Sequence, residues 1–177
     1  MNIAVFCGSG LPGDSRITKA AENLGRRLAE EGHTLIYGGS NLGLMGVVSG
    51  AALQEGGHVV GVIPTLFSEE IIYSQPVTEL IRVRSMAERK EYIIARSDAF
   101  VALPGGIGTL DEVLEVMVAN QLKQINKPIA LYSPDNFYTP FIQQIDTMGE
   151  KGFFRNGVRP NLIVSNNIED ILSKITE

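Results

Sequence analysis

The sequence predicts an α/β protein in which helices cover both faces of a central parallel sheet. Short runs of β-branched and aliphatic residues alternate with longer amphipathic segments, which is the pattern of strands joined by helical crossovers. The short runs are apolar along their whole length, as expected of parallel strands that are buried on both faces. Together these observations predict a Rossmann-like αβα sandwich.

Six runs are predicted to be strands, because each is short, apolar and rich in β-branched residues. Glycine or proline follows several of them: Gly38-Gly39 ends the second strand and Pro64 ends the third. In chain order, the predicted strands are residues 3–7, 34–37, 59–63, 99–103, 128–132 and 162–164.

Six further segments are predicted to be helices. In the first, Ala20, Leu24 and Leu28 recur at helical spacing, and the second stops at Gly56-Gly57. The third opens with serine and glutamate at the spacing of a capping box. In chain order, the predicted helices are residues 15–31, 42–55, 85–97, 109–122, about 139–150 and a last one from about 168.

Residues 65–84 interrupt this alternation of strands and helices. The segment follows a proline, carries Pro76 near its middle and shows no regular period. Long irregular connections in compact domains are often functional, so we predict that this segment forms a lid over a ligand.

The composition narrows the class of protein. The 177 residues, 44% of them hydrophobic, suffice for one domain with a full core, so we expect a single domain over residues 1–177. A formal charge of −5 disfavours nucleic acid or an anionic membrane as the partner. Cys7 is the only cysteine and no apolar run reaches membrane-spanning length. We therefore expect a cytoplasmic protein.

Three glycine-rich turns follow predicted strands: residues 7–13, 38–46 and 104–109. Ligands of such folds bind beyond the carboxyl ends of the strands, where these turns can converge. Glycine-rich turns also let helices pack closely on a sheet, and that alternative stays open. From the first two turns we predict Gly8, Ser9 and Gly39 as ligand-binding residues.

The first turn, residues 8–13, has the G-x-G-x-x-G spacing of dinucleotide-binding proteins. Such a site also needs an acidic residue at the end of the second strand, but that strand ends Tyr37-Gly38-Gly39. Pro12 removes a backbone donor from the turn. No G-x-x-x-x-G-K-[ST] loop occurs, so the sequence disfavours dinucleotide binding and a P-loop NTPase.

The third turn carries the strongest chemical signal. Residues 104–112 read Pro-Gly-Gly-Ile-Gly-Thr-Leu-Asp-Glu, between a predicted strand and a predicted helix. Free N–H groups and the helix dipole favour an anion there, and Glu112 would bring a carboxylate beside it. Thr109 and Glu112 also have capping-box spacing, in which Glu112 only stabilises the helix. Both interpretations of Glu112 stay open, whereas Asp111 and Glu115 are interpreted as dipole-complementing or solvent-facing charges.

A charged segment, Met86-Ala87-Glu88-Arg89-Lys90, opens the helix that leads into the strand before this turn. The guanidinium group of Arg89 suits phosphate or ribose oxygens. A solvated helix face would explain the same charges, and Lys90 equally suits solvent. We include Met86, Arg89 and Lys90 among the predicted site residues.

These two segments together resemble the paired signature of the LONELY GUY (LOG) family of cytokinin nucleoside 5′-monophosphate phosphoribohydrolases, many of which are named lysine decarboxylases. Family members often carry histidine at the position of Ala87 and a tryptophan after the third turn. This chain has no tryptophan, so we expect its base pocket to differ. The similarity continues to about residue 154 and includes Phe6-Cys7-Gly8-Ser9, Tyr37-Gly38-Gly39, Gly43-Leu44-Met45-Gly46 and Gly61-Val62-Ile63-Pro64.

The resemblance implies hydrolysis of a nucleoside 5′-monophosphate, such as an N6-substituted adenosine 5′-monophosphate, to free base and ribose 5-phosphate. It implies Arg89 and Glu112 as the catalytic pair, without a metal or a cofactor. It also implies a homodimer with its sites near the subunit interface. The residues that it assigns to the 5′-phosphate are Gly105, Gly106, Gly108 and Thr109.

Two other functions use the same segments. A non-catalytic nucleotide-binding or carrier protein would need the three turns but no turnover. A pyridoxal-phosphate lysine decarboxylase would need a Schiff-base lysine, and no lysine of this chain lies in a recognisable cofactor motif.

Overall fold

The computed structural model describes residues 1–66, 77–154 and 160–177. Within these ranges, seven strands form one all-parallel sheet. They are β1 (Asn2–Phe6), β2 (Thr34–Tyr37), β3 (Val59–Pro64), β4 (Glu79–Val83), β5 (Ala99–Ala102), β6 (Ile129–Tyr132) and β7 (Ile163–Ser165). Their order across the sheet is β4-β3-β2-β1-β5-β6-β7.

Helices connect the strands and cover the sheet. They are α1 (Ser15–Glu30), α2 (Gly43–Gln54), α3 (Met86–Arg96), α4 (Ile107–Gln121), α5 (Thr139–Glu150) and α6 (Ile168–Thr176). Side chains of α1, α2 and α6 join the hydrophobic cluster on one face of the sheet, and those of α3, α4 and α5 join the cluster on the other face. The predicted Rossmann-like αβα sandwich is confirmed.

The apolar runs become strands because both of their faces are buried. In β1, Ile3 and Val5 belong to one cluster, whereas Ala4 and Phe6 belong to the other. Side chains alternate across a strand, so every residue of such a run needs to be apolar. This explains why the predicted strands and helices are all present, with ends that differ by one or two residues.

The strand β4 was missed by the prediction, which treated residues 65–84 as irregular. It pairs with β3 at one edge of the sheet, where Glu79 and Arg82 are exposed. Charged residues are common on edge strands, and they hide the apolar run that marks a buried strand. Pro76, on which the lid prediction partly depended, lies outside the described residues.

The strand order places a crevice at the carboxyl ends of the central strands. β1 pairs with β2 on one side and with β5 on the other, so the chain reverses its direction across the sheet between these neighbours. Loops that leave adjacent strands toward opposite faces open a cleft at such a point. None of the helices in the described ranges combines the length and apolarity needed to cross a membrane.

Close packing of α1 on α2 depends on Gly25. A Cβ atom added there would overlap the carbonyl oxygen of Val48 and lie 3.1 Å from the backbone nitrogen of Ala52. Because a helix backbone yields little, we expect Gly25→Ala to lower the free energy of unfolding by about 1–3 kcal/mol, despite alanine's higher helix propensity. Equilibrium urea unfolding measures this difference.

Gly13→Ala is the matched control, because an added Cβ at Gly13 meets no atom within 4 Å. Its free energy of unfolding should stay within about 0.5 kcal/mol of the wild type. Equal stability of the two variants would contradict the packing argument.

Candidate active site

The three glycine-rich turns meet at the carboxyl ends of β1, β2 and β5. The N–H of Gly8 donates to the carbonyl oxygen of Pro104 at 3.2 Å, and the N–H of Leu44 donates to the carbonyl oxygen of Gly8 at 3.1 Å. The first turn is therefore bonded to the third turn and to the start of α2. The three turns therefore line a single crevice.

Gly105 allows this close approach. A Cβ atom at this position would lie 2.7 Å from Cβ of Thr109 and 3.0 Å from the backbone nitrogen of Gly8. Any larger residue would push the third turn away from the first. Gly105 does not itself line the cavity. It affects the site indirectly, because it allows the third turn to lie close to the first.

A cavity of about 510 Å³ opens at this crevice. Eight of the predicted site residues line it: Gly8, Ser9, Met86, Arg89, Gly106, Gly108, Thr109 and Glu112. Gly39, Lys90 and Gly105 do not. Gly39 packs against β3, where an added Cβ would lie 3.0 Å from Cβ of Ile63.

A buried ion pair occupies the floor of the cavity. Nη1 of Arg89 donates to Oε1 of Glu112 at 2.7 Å, and Nε of Arg89 donates to the carbonyl oxygen of Val62 at 3.0 Å. Both side chains are about nine-tenths buried. The carbonyl of β3 and the carboxylate of α4 therefore fix the guanidinium group from two directions.

Gly38 makes room for this guanidinium group. An added Cβ atom would overlap Nη2 of Arg89 and lie 2.8 Å from Sδ of Met45. The glycine at the end of β2 thus matters for the position of Arg89, a role different from the phosphate contact expected of a glycine-rich turn.

The start of α3 is capped by its own side chains. Oγ of Ser85 accepts from the N–H of Glu88 at 3.1 Å, while Oε2 of Glu88 accepts from the N–H of Arg84 at 2.8 Å. The predicted capping box is therefore present in modified form, with Glu88 bonded one residue further back. This cap fixes the helix turn that carries Arg89.

The capping interpretation of Glu112 is wrong. The helix α4 begins at Ile107, two residues earlier than predicted, with Gly106 at the N-cap and no side chain as its cap. The N–H of Thr109 donates to the carbonyl oxygen of Gly106 instead of to a side chain. Glu112 faces Arg89, so its local spacing with Thr109 has no capping role.

The start of α4 presents backbone donors to the cavity. Gly106, Ile107 and Gly108 are exposed and line it, and the first N–H groups of a helix have no partner within the helix. The positive end of the helix dipole adds to their field. This end of the cavity suits an anionic group.

Burial raises the pKa of Glu112 above its ordinary value, although the charge of Arg89 and its hydrogen bond oppose that rise. Asp111 raises the pKa further and Lys90 lowers it. A carboxylate whose pKa is raised in this way takes up a proton more readily than one exposed to solvent.

Cys7 also lines the cavity, next to this pair. Burial raises the pKa of its thiol strongly, and the charge of Glu112 raises it further. The thiol therefore stays protonated and is a poor nucleophile.

Lys90 points to α4 and not into the cavity. Its ammonium group lies 2.9 Å from Oδ2 of Asp111 and 2.5 Å from Oε2 of Glu115. Asp111 and Glu115 were interpreted as dipole-complementing or solvent-facing charges, but the structure pairs both with this lysine.

The apolar lining of the cavity has no local signal in the sequence. Apolar residues from β3 and three helix starts also line the cavity: Leu42, Met45, Ile63, Met86 and Ile107. Only Met86 was predicted, because apolar residues after a strand look like ordinary core. The exposure of Leu42 and Ile107, at 48% and 87%, is a tertiary property that no local pattern reveals.

Comparisons with known proteins identify the family of this chain. A family described as "possible lysine decarboxylase" matches residues 45–175. The cytokinin riboside 5′-monophosphate phosphoribohydrolase LOG of Oryza sativa subsp. japonica is 41% identical over 175 residues, which are 99% of this chain and 72% of the rice protein. The chain belongs to the LONELY GUY family. The family resemblance stated from the sequence is thereby confirmed.

A second relative and a solved structure are also similar to this LOG family member. The cytokinin riboside 5′-monophosphate phosphoribohydrolase LOG4 of Arabidopsis thaliana is 39% identical over 99% of this chain and 81% of its own length. The structure of the molybdenum cofactor binding protein from Rippkaea orientalis superposes with a TM-score of 0.74, at 24% identity, over 99% of this chain and 94% of that chain. At that identity the likeness shows the fold alone.

The buried pair predicts a pH-dependent stability. Arg89→Met leaves the Glu112 carboxylate buried without its partner, which should lower the free energy of unfolding by about 3–5 kcal/mol at about pH 8. The pKa of Glu112 then rises further above its unfolded value, so the native state binds the extra proton. The variant therefore loses stability as pH rises from the unfolded-state pKa of the carboxyl group through its raised native-state pKa. Its deficit relative to the wild type should shrink toward about pH 5.

Urea unfolding of the wild type and Arg89→Met at both pH values tests this expectation. The double variant Arg89→Met/Glu112→Gln is the control, because it has no carboxyl group at position 112 to titrate, and its deficit should not grow as pH rises. A deficit of Arg89→Met that is equal at both pH values would contradict the assignment.

Proposed function

We propose that the protein hydrolyses the N-glycosidic bond of adenosine 5′-monophosphates, including N6-substituted ones such as cytokinin riboside 5′-monophosphates. The products are the free base and ribose 5-phosphate. The observation that carries the proposal is the buried Arg89–Glu112 pair at the floor of a cavity that begins at a helix N-terminus. The names of the rice and Arabidopsis relatives support the same substrate class.

The 5′-phosphate binds at the start of α4 in this proposal. Gly106 and Gly108 line the cavity there, next to the buried Thr109. Gly8 and Ser9, on the adjoining first turn, line the same cavity. Backbone donors and the helix dipole then hold the phosphate without a metal ion.

Glu112 acts on the bond between ribose and base. It lies five residues into α4 from Ile107, or about 7.5 Å along the helix axis, which suits the reach from a 5′-phosphate across a ribose ring. Cleavage builds positive charge on the sugar, as in glycoside hydrolysis. The Glu112 carboxylate stabilises that charge and accepts a proton from the attacking water.

Arg89 keeps this carboxylate in place and charged. Its Nη1 bonds Oε1 of Glu112, and its charge opposes the rise in the pKa of Glu112 that burial causes. A free donor of the guanidinium group is then available to the ribose phosphate.

The apolar end of the cavity receives the base. Leu42, Met45, Ile63 and Met86 offer a surface for a purine and for an aliphatic N6 substituent. Methionine side chains adapt readily to substituents of different shape. Ala87, where family members often have histidine, is exposed, so this position leaves the base less enclosed.

The residues present do not fit pyridoxal-phosphate chemistry. That reaction needs a lysine amine free to form a Schiff base, and in the described part of the chain no lysine lines the cavity. The nearest one, Lys90, is held by two carboxylates. The lysine decarboxylase alternative therefore has no support at this site.

The proposal predicts that Glu112→Gln abolishes turnover. The amide cannot accept a proton from water, so release of adenine from AMP or of N6-isopentenyladenine from its nucleotide should fall by about a thousandfold. Nucleotide binding should persist, because the phosphate contacts come from backbone amides. Chromatography of free base measures turnover, and calorimetry with AMP measures binding.

Glu91→Gln is the matched control, because Glu91 is an exposed carboxylate on α3 and should retain wild-type turnover. Wild-type protein that binds these nucleotides without releasing base would favour the carrier alternative. Full activity of Glu112→Gln would refute the catalytic role.

We also propose that the protein is a homodimer whose interface includes α4. Leu114, Val118 and Leu122 recur at four-residue spacing on one side of this helix and are 43%, 49% and 56% exposed. Ile107 continues that side to the rim of the cavity. An exposed apolar stripe of this length favours a protein partner, and a second copy would bring each active site close to the interface.

Charges on this stripe should dissociate the dimer. Leu114→Glu/Val118→Glu would bury four carboxylates per interface, so light scattering after size-exclusion chromatography should show a monomer. Met148→Glu on α5, at 38% exposure, is the control and should stay dimeric. A monomeric wild type would refute the interface.

We also propose that the protein is cytoplasmic. Cys7 is the only cysteine, so stability depends on no intrachain disulfide. A reducing compartment suits such a chain.

A further inference from the structure

Two adjacent cation–carboxylate bridges join α3 to α4. Arg89 bonds Glu112 in the interior, and the next residue, Lys90, pairs with Asp111 and Glu115 nearer the surface. The ammonium side chain is only 17% exposed and has two acidic partners. This is more order than a solvated surface lysine shows.

The three carboxylates of α4 lie close together. Asp111 precedes Glu112, and Glu115 follows it by three residues, which is one helical turn. Like charges at such spacing repel each other. Lys90 lies among them and offsets the two that Arg89 does not bond.

We propose that Lys90 is a positioning residue for the hydrolysis and not a ligand of the phosphate: its ammonium group neutralises Asp111 and Glu115, so that the Glu112 carboxylate stays bonded to Arg89 without repulsion from its neighbours on α4. The inference rests on the proposed function for its kinetic consequence. Its structural consequence, the state of Glu112, is independent of turnover.

The charges that face Glu112 determine whether removal of the Lys90 ammonium group raises or lowers the pKa of Glu112. From α3 they are Arg89 and Lys90, which lower its pKa; from α4 Asp111 raises it, and Glu115 is paired with Lys90. From the end of β1, Cys7 faces it with a protonated thiol. Removal of the ammonium group therefore raises the pKa of Glu112.

The ammonium group stays charged in the working pH range. The bonds to Glu115 and then to Asp111 raise the pKa of Lys90, while partial burial opposes that rise. The positioning effect is therefore a fixed feature of the site and does not itself titrate near neutral pH.

The first experiment is the pH dependence of kcat/KM for wild type and Lys90→Met. A general base must be ionised, so the acid limb of the profile should move to higher pH in the variant. The loss should be largest at acid pH, about tenfold, and should fade as pH rises. A direct phosphate ligand would instead raise KM by a similar factor at every pH.

The second experiment is a rescue. In Lys90→Met/Asp111→Asn/Glu115→Gln the whole outer bridge is replaced by uncharged side chains of similar size, so the acid limb should return toward the wild-type position. A lost phosphate contact would not be rescued. Lys174→Met is the matched control, since it removes an ammonium group that pairs with Asp170 on α6, and its profile should match the wild type.

The third measurement does not depend on turnover. In protein labelled with ¹³C at the glutamate carboxyl carbons, the Glu112 signal, assigned by its loss in Glu112→Gln, should titrate at higher pH in Lys90→Met and return in the triple variant. Thermal unfolding confirms that each variant is folded.

These measurements distinguish failure of the proposed function from failure of the proposed role of Lys90. If the wild type releases no base, the proposed function fails, and the carboxyl titration still decides the role of Lys90. If the Glu112 titration does not move in Lys90→Met, or the triple variant does not restore it, the positioning role is overturned.

Discussion

The site depends on one buried interaction, the ion pair between Arg89 and Glu112. Removing two charges from water costs several kcal/mol for each ion, and a protein seldom recovers that cost in stability alone. Here the pair is held at 2.7 Å in a position that still borders the cavity. Such a carboxylate, with a raised pKa and an opposing cation, is suited to proton transfer, which is why we assign it a function.

Four elements of the fold converge to hold this pair. The end of β2 leaves space at Gly38, β3 supplies the carbonyl of Val62, α3 carries Arg89 and α4 carries Glu112. All four meet because the parallel strands end at the same edge and the chain reverses between β1 and β5. The helix start with its free backbone donors and the acidic side chain then come from the same helix, which fixes the distance between them.

Much of the fold could be predicted because its signals are local. A strand that is buried on both faces must be apolar throughout, and a helix end is marked by glycine, proline or a capping side chain within a few residues. The edge strand β4 could not be predicted in this way, since among the described strands it pairs with β3 alone and its exposed positions carry Glu79 and Arg82. Its pairing with β3 depends on residues far away in the chain.

The sequence by itself determined the family, the buried strands and the glycine-rich helix start, because each depends on residues that are close together in the chain. It left two interpretations of Glu112 open, a helix cap and a functional carboxylate, because Thr109 lies at the spacing that a capping box needs. Only the tertiary structure excluded the cap, by placing Arg89, 23 residues away in the chain, within hydrogen-bond distance of Glu112. The same holds for Lys90, whose partners lie on a different helix. Contacts between distant residues depend on how helices pack on the sheet, and no local pattern contains that information.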